Sequence, residues 1–240
     1  MTSALASAKQ LYASCAQATG RGLERVGLLA HDPPSREHRL RHWAYSLTRA
    51  HDSLGIAALD VPWWTYDAID AVEAWLANQG DRSAVRAFEW GSGASTLWLA
   101  RRVGELHSVE HHRGFGQMIQ ERLADQPNAS LEIVEPVPST APAIGSAKEG
   151  HGRLDFASYV DQIEAVGGEF SLIVVDGRAR EACLVRALAH LTDGGIIVFD
   201  NTRRRRYRRA IAAAAVDEQR YWGLTPTLPY PDQTSLLTRA

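Results

Sequence analysis

Cysteine is scarce in this sequence, and its scarcity excludes two classes of protein. Cys15 and Cys183 are the only cysteines in 240 residues, so a secreted fold held together by disulfides is not supported. The sequence has no Cys-x-x-Cys motif and no cluster of cysteine with histidine. Because structural zinc sites need such spacings, a zinc-binding module is not expected. We interpret Cys183 as a buried, unreactive residue of a helix.

Long apolar runs are also missing. No stretch of about 18 apolar residues occurs, so we expect no membrane-spanning helix. The first 20 residues lack a charged segment followed by a long apolar one, which predicts that no signal peptide is present. Together these absences predict a cytoplasmic protein with no membrane partner.

Positive charge is not in excess. The net charge is -2, and Lys9 and Lys148 are the only lysines among 26 basic residues. A dedicated nucleic-acid binder is normally basic overall, so nucleic acid is not the expected partner. The one dense charged run, RRRRYRR at 203–209, is interpreted as a solvated helix face. Binding of a phosphate, a carboxylate or RNA by this run stays open.

Short apolar runs alternate with helical patterns through most of the chain. Continuously apolar strands that alternate with helices indicate a parallel sheet covered on both faces. Two further strands lie close together near the end of the sequence and predict an antiparallel edge. The predicted strands are 86–90, 106–110, 131–135, 170–175, 195–199, 220–225 and 234–238, and the predicted helices are 3–20, 39–54, 66–78, 94–103, 113–125, 179–191 and 203–216.

The pattern divides the chain into two parts. Residues 1–60 are predicted to form an N-terminal helical extension, and residues 61–240 one α/β domain. The segment 137–155 is rich in proline, glycine, serine and alanine, and a loop this long inside a compact domain is usually functional or mobile. We expect the N-terminal extension and residues 137–158 to form a lid or a dimer contact, so a homodimer is one expectation.

The stretch FEWGSGASTLWLA at 88–100 places Gly91-Ser92-Gly93 between a strand and a helix. A dinucleotide fingerprint would have a third glycine where Thr96 stands. A carboxylate at Glu89, just before the turn, would repel a pyrophosphate and attract an ammonium or a sulfonium. S-adenosylmethionine carries both of these cationic groups and no phosphate, so we expect it as the cofactor.

A second acidic residue closes the next strand. Glu110 follows 21 residues after Glu89, where a carboxylate can accept hydrogen bonds from both ribose hydroxyls. Backbone N–H groups around 93–95 can hold the methionine carboxylate, and Ser95 and Thr96 can cap the helix. The alternative interpretation is that both glutamates are solvated strand ends and that the glycines merely turn the chain.

Four stretches together resemble a class I S-adenosylmethionine-dependent methyltransferase: FEWGSGASTLWLARR, LHSVEHH, FSLIVVDGRAREAC and LTDGGIIVFDN. The resemblance covers about residues 60–240. It implies a Rossmann-like, seven-stranded, mostly parallel sheet with the last strand antiparallel, and a cofactor across the carboxyl ends of the first strands. PWWT also resembles a cofactor lid, although Trp63 and Trp64 could simply pack over the sheet. The expected cofactor-binding residues are Thr65, Glu89, Gly91, Ser92, Gly93, Ser95, Thr96, Glu110, His111 and Asp176.

Asp176, Asp200 and Asn201 end two strands that are predicted to be neighbours. Their oxygens are hard ligands that suit Mg²⁺, and the pattern resembles the metal-dependent catechol-type and caffeoyl-CoA-type O-methyltransferases. The sequence departs from them at Gly177-Arg178, near where those enzymes have a lysine, and in a shorter separation between the two aspartates. A metal-free enzyme in which Asp176 faces the substrate or the sulfonium is the alternative.

The chemistry expected from these residues is methyl transfer to a small-molecule acceptor at oxygen. Asp176 and His151 are the catalytic candidates, with a plain surface role as the alternative for His151. Arg178 and Arg180 could hold an acidic group of the substrate. Three other functions stay open: a non-catalytic cofactor-binding module, an RNA methyltransferase and an NAD-binding Rossmann enzyme.

Overall fold

The computed structural model describes residues 32–49 and 58–240, together with Ala18 and Gly55. Most of the predicted helix 3–20, including Cys15, lies outside the described residues, as does much of the 1–60 extension. The predicted helix 39–54 is observed as α1, Arg39–Ser46, followed by a 3₁₀ turn at Leu47–Arg49. Its remaining residues, 50–54, lie outside the described residues.

A seven-stranded sheet forms the centre of the molecule. Its strands are β1 Arg86–Trp90, β2 Glu105–Glu110, β3 Ala129–Ile133, β6 Phe170–Val175, β7 Leu191–Asp200, β8 Val216–Gly223 and β9 Asp232–Arg239. The strand order is β3-β2-β1-β6-β7-β9-β8. Strand β9 runs antiparallel to β7 and β8, and the pairs from β3 to β7 are parallel. The predicted fold class is confirmed, including the antiparallel last strand.

Helices cover both faces of this sheet. They are α1, α2 Tyr66–Ala77, α3 Ala94–Ala100, α4 Arg113–Leu123, α5 Ala157–Val160, α6 Gln162–Val166, α7 Arg180–His190 and α8 Arg205–Ala213. Helices α2, α3 and α4 pack on one face, and α5 to α8 pack on the other. None of the helices among the described residues has the length and hydrophobicity that crossing a membrane requires.

The pleat of β1 shows how the sequence builds two core layers. Ala87 faces the layer formed by α2 to α4, whereas Phe88 and Trp90 face the layer formed by α5 to α8. Trp64 is fully buried in the first layer and meets Trp98 edge-on at 5.7 Å between ring centroids. Cys183 is fully buried in the second layer, as the sequence predicts. Burying each large apolar side chain contributes about 1.5–3 kcal/mol.

The segment 137–155 is tied at its two ends. Strands β4, Val137–Pro138, and β5, Leu154–Asp155, form a two-residue antiparallel ladder. The Asp155 carboxylate accepts hydrogen bonds from the backbone N–H groups of Ala143 at 2.7 Å and of Ala157 at 2.9 Å. These bonds, the one from Ala143 foremost, lower the pKa of Asp155. The segment is therefore a closed loop anchored beside the sheet edge.

Candidate functional site

The predicted site residues converge on one cavity of about 830 Å³. The cavity lies at the carboxyl edge of β1, β2, β6 and β7, where ligands of open α/β sheets bind. The sequence-predicted residues that line it are Gly91, Ser92, Gly93, Ser95, Glu110, His111, His151, Asp176, Asp200 and Asn201. The residues predicted from sequence that do not line it are Thr65, Glu89 and Thr96.

The glycine turn depends on a close approach between two backbones. Gly91 has a φ of +96°, and a Cβ there would lie 2.6 Å from the Cα of Gly177. The turn is fixed further because the Gly91 N–H donates to the Val109 carbonyl at 2.9 Å and the Asp176 N–H donates to the Trp90 carbonyl at 3.0 Å. A side chain at position 91 would therefore separate the ends of β1 and β6, which carry the turn and Asp176.

Glu110 is buried at the end of β2 and is held by the turns around it. Its Oε2 accepts hydrogen bonds from Ser92 N at 3.1 Å and Oγ at 3.2 Å. Its Oε1 accepts from the backbone N–H groups of His111 at 2.9 Å and His112 at 2.8 Å, and His111 Nδ1 lies 2.7 Å from the same oxygen. Burial alone would raise the pKa of Glu110, but the contact with His111 and these backbone donors lower it overall. The carboxylate is therefore ionised at the cavity wall.

Glu89 lies beneath the glycine turn and has no surface in the cavity. Its fully buried carboxylate accepts hydrogen bonds from the hydroxyls of Ser95, of Thr96 at 2.5 Å and of Ser108 at 2.7 Å. Burial raises its pKa to about 7, against the effect of the three hydroxyl donors. The physical reason for the difference from the sequence expectation is the pleat of β1, which points this side chain under α3 and toward β2.

Thr65 has a structural role and is not among the residues that line the cavity. It is the N-cap of α2, where its Oγ1 accepts a hydrogen bond from the Ala68 N–H at 3.4 Å. Its own N–H donates to Thr234 Oγ1 at 3.2 Å. Of the PWWT motif, Trp63 lines the cavity instead, and Trp64 is part of the core.

A buried arginine lies between the carboxylates that were expected to hold a metal. Arg180 Nη2 donates to Asp176 Oδ1 at 2.6 Å, and Arg180 Nη1 donates to the Asp200 carbonyl at 2.6 Å and lies 3.9 Å from Asp200 Oδ2. Burial raises the pKa of both aspartates, and the guanidinium of Arg180 opposes that rise. Positive charge at this point is therefore supplied by the chain itself.

The donor set does not fit Mg²⁺. The charge of Arg180 lies where a cation would bridge Asp176 and Asp200. Within residues 32–49 and 58–240, no group of three or more histidine, cysteine, aspartate or glutamate side chains is arranged to hold a metal ion. The sequence expectation of a metal at Asp176, Asp200 and Asn201 is not supported.

His151 enters the cavity from the anchored loop. Its ring stacks on Phe156 with 5.7 Å between centroids and lies 6.0 Å from the ring of His111. Burial, followed by the positive charges of Arg178, Lys148 and His111, lowers the pKa of His151 to about 4. Its Nδ1 is buried and has no hydrogen-bond partner among the described residues. The imidazole is therefore neutral at pH 7.

One wall of the cavity comes from a segment to which the sequence analysis assigned no role. The connection between β8 and β9 contributes Thr227, Leu228 and Tyr230, and the first residue of β9 contributes Asp232. Trp63 Nε1 donates to Thr227 Oγ1 at 3.0 Å, and Trp43 Nε1 donates to the Leu228 carbonyl at 2.9 Å. In the sequence, only the prolines of TPTLPYPD mark this segment. They predict a turn, but they do not predict that the turn borders the cavity.

Comparisons with known proteins agree with this architecture. No protein-family model matches the sequence, and a search of curated proteins finds no match. Among solved structures, the chain is similar to an O-methyltransferase from Bacillus cereus in complex with SAH (S-adenosylhomocysteine), at 17% identity and a TM-score of 0.55, over 95% of this chain and 100% of that one. It is also similar to the O-methyltransferase TomG from Streptomyces achromogenes, involved in tomaymycin synthesis, in complex with SAM (S-adenosylmethionine), at 18% identity and a TM-score of 0.53, over 79% of this chain and 90% of that one.

A third similar structure is TrmN from Thermus thermophilus, at 13% identity and a TM-score of 0.51, over 77% of this chain and 49% of that one. The strand order, the antiparallel β9 and these similarities define the fold. It is the fold of class I S-adenosylmethionine-dependent methyltransferases.

Proposed function

We propose that this protein is an S-adenosylmethionine-dependent methyltransferase that methylates a small-molecule acceptor at oxygen. The observation that carries the proposal is that the glycine turn, Glu110 and Asp176 border one cavity at the carboxyl edge of the parallel strands. The volume of about 830 Å³ is within the range of small-molecule sites. It leaves room for an acceptor beside a nucleoside cofactor.

The lining favours a cationic cofactor over a dinucleotide. Glu110 is ionised, and its Oε2 accepts a hydrogen bond from the Ser92 N–H of the turn at 3.1 Å. A dinucleotide site also has an acid at this position for its ribose, so the discrimination comes from the turn, which lacks the third glycine that close approach of a pyrophosphate needs. Thr96, at the position of the third glycine of a dinucleotide fingerprint, is buried and bonded to Glu89.

Each cofactor-binding residue has a separate task in this proposal. Glu110 accepts the ribose hydroxyls, and Asp176 faces the cationic part of the methionine. Gly91 lets the turn approach the cofactor closely. Glu89 acts indirectly, because its hydrogen bonds fix Ser95, which lines the cavity.

The transfer step requires positioning and one proton acceptor. When bound, S-adenosylmethionine supplies a methyl group on a positively charged sulfur. The protein has to hold the acceptor oxygen in line with the bond that breaks, which is a matter of orientation. The acceptor hydroxyl also loses a proton, and the neutral His151 is the group we assign to receive it. A phenol loses its proton more readily than an aliphatic alcohol does, so a phenolic acceptor is favoured.

Transfer of an isotope-labelled methyl group tests this function. Purified protein is incubated with labelled cofactor and a panel of phenols, catechols, aliphatic alcohols, amines and RNA, and the products are identified by mass spectrometry. We expect label on the oxygen of a phenol or catechol.

His151→Gln should lower the rate of methyl transfer about a hundredfold. The matched control is His38→Gln, since His38 is exposed and makes no side-chain capping bond. Binding of the cofactor without transfer to any acceptor would favour the non-catalytic module.

RNA is the second candidate acceptor, and one observation favours it. Arg204 lines the cavity, and Arg203, Arg205, Arg208 and Arg209 are exposed next to it. Binding through such a run would weaken steeply with salt, because each phosphate contact releases a counterion. RNA would be the acceptor in place of a small molecule if two results were obtained. RNA would carry the label, and its binding would depend steeply on salt in a way that Arg208→Gln reduces.

A further inference from the structure

Arg178 faces the cavity without a direct ion pair to a carboxylate of the described residues. It lines the cavity from the turn between β6 and α7. Its Nε is buried without a hydrogen-bond partner in the part of the chain that the structure describes, and its Nη1 makes one long bond, 3.4 Å, to the Gly177 carbonyl. Burial and the neighbouring Arg180 lower its pKa. A guanidinium in this position is costly to the folded protein unless an anion joins it.

Arg204 borders the same cavity from the start of the arginine run. Its guanidinium lies 5.7 Å from the centroid of the Tyr207 ring. Among the described residues it forms no ion pair with a carboxylate, and neither does Arg178. Both arginines act on the carboxyl of Asp176, whose pKa each of them lowers. The two cations are thus on the Asp176 side of the cavity.

None of the described carboxylates of the cavity forms a direct ion pair with these arginines, and each has other hydrogen-bond donors. Glu110 is held by backbone N–H groups and His111, and Asp176 is held by Arg180. Asp200 Oδ1 accepts a hydrogen bond from Thr234 Oγ1 at 2.7 Å. Asp232 Oδ2 accepts one from Asn201. The positive charge of Arg178 and Arg204 is therefore available to a ligand.

We propose that Arg178 and Arg204 form an oxyanion site that holds a carboxylate or phosphate group of the acceptor. The guanidinium of Arg178 offers its Nη hydrogen bonds to an oxyanion. Asp176, on the same side, holds the cationic part of the cofactor in the proposed function. The anionic end of the acceptor then fixes the distance of its hydroxyl from the transferred methyl group. This inference rests on the proposed function and specifies the substrate class as acidic.

Calorimetry on the full chain tests the oxyanion site with two simple probes, inorganic phosphate and benzoate. Each probe is titrated into the protein loaded with S-adenosylhomocysteine, at low and constant ionic strength with chloride as the competing anion. We expect saturable binding of at least one probe, and the tighter probe identifies the anion as a phosphate or a carboxylate. Arg178→Gln and Arg204→Gln should each weaken it about tenfold. Arg178→Lys should recover part of the affinity.

The matched control is Arg208→Gln, which removes an exposed arginine of the same run that does not line the cavity. It should leave the binding of both probes unchanged. Absence of saturable binding, or binding that Arg208→Gln weakens as much as Arg178→Gln does, would overturn the site. Competition between the probe and S-adenosylhomocysteine would also overturn it, because Arg178 would then hold the cofactor's own carboxylate. Failure of S-adenosylhomocysteine to bind at all would instead refute the proposed function.

Discussion

Arg180 and Asp176, which are four residues apart in the sequence, form an ion pair with 2.6 Å between Nη2 and Oδ1. The Arg180 side chain is 5% exposed, and the same guanidinium also bonds to the backbone carbonyls of Asp176, at 2.7 Å, and Asp200, at 2.6 Å. One arginine thus joins the ends of β6 and β7 and keeps Asp176 at the cavity.

Loss of this arginine should destabilise the protein strongly. Arg180→Met removes the ion pair with Asp176 and the hydrogen bonds that join the ends of β6 and β7, and we expect the free energy of unfolding to fall by about 3–5 kcal/mol. Urea denaturation measures it. Arg186→Gln is the matched control on the same helix, because Arg186 pairs with Asp161 at the surface and should cost less than about 1 kcal/mol. Equal effects of the two variants would contradict the role given to Arg180.

Methyl transfer should be independent of divalent metal ions. Because the Arg180 guanidinium lies between Asp176 and Asp200, a dication there would meet a like charge. We expect the same rate in EDTA as in Mg²⁺, measured with labelled cofactor. A rate that falls in EDTA and returns with added Mg²⁺ would show that Arg180 moves away from the two aspartates.

The pH dependence of stability should carry a contribution from Glu89. Its pKa is about 7 in the folded protein against an ordinary value of 4.5, so the folded state keeps a proton that the unfolded chain releases. The stabilising contribution is therefore fully present below pH 4.5 and is lost as the pH rises through 7, by an amount on the order of 3 kcal/mol.

Urea denaturation of the wild type and of Glu89→Gln between pH 4.5 and pH 8 isolates this contribution. The free energy of unfolding of the wild type minus that of Glu89→Gln should decrease as the pH rises across that interval. A difference that stays constant with pH would mean that Glu89 is ionised throughout.

The glycine turn should not tolerate a side chain at position 91. In Gly91→Ala the new methyl group would lie 2.6 Å from Gly177 Cα, at a φ of +96°. We expect a loss of about 3 kcal/mol in stability, together with weaker binding of S-adenosylhomocysteine. Gly152→Ala is the control, since a Cβ at that position meets nothing within 4 Å. Thermal unfolding compares the two, and similar unfolding temperatures would contradict the close approach of β1 and β6.

The fold could be predicted from the sequence because its signals are local. The apolar run before Gly91 and the glycine turn itself define β1 and the start of α3, and the observed bounds of β1 agree with those predicted. Residues at the carboxyl ends of parallel strands meet at one edge whatever the details of packing. Glu110 and Asp176 were therefore placed at the cavity by topology alone.

The contacts of individual side chains could not be predicted in the same way. The position of Glu89 beneath the turn depends on hydroxyls from α3 and β2, which only the folded chain brings together. The place of Arg180 depends on how α7 enters after Ala179, which has a left-handed φ of +49°. Nothing in the local sequence distinguishes this arginine from Arg178, which faces the cavity.

Calorimetry with S-adenosylmethionine and NAD⁺ tests the central claim most directly, namely that the glycine turn, Glu110 and Asp176 together form a site for S-adenosylmethionine and not for a dinucleotide. We predict saturable binding of S-adenosylmethionine and no measurable binding of NAD⁺. Glu110→Gln should weaken S-adenosylmethionine binding at least about tenfold, whereas Glu132→Gln, at an exposed position of β3, should not. Tight binding of NAD⁺ with none of S-adenosylmethionine, or an affinity that Glu110→Gln leaves unchanged, would contradict it.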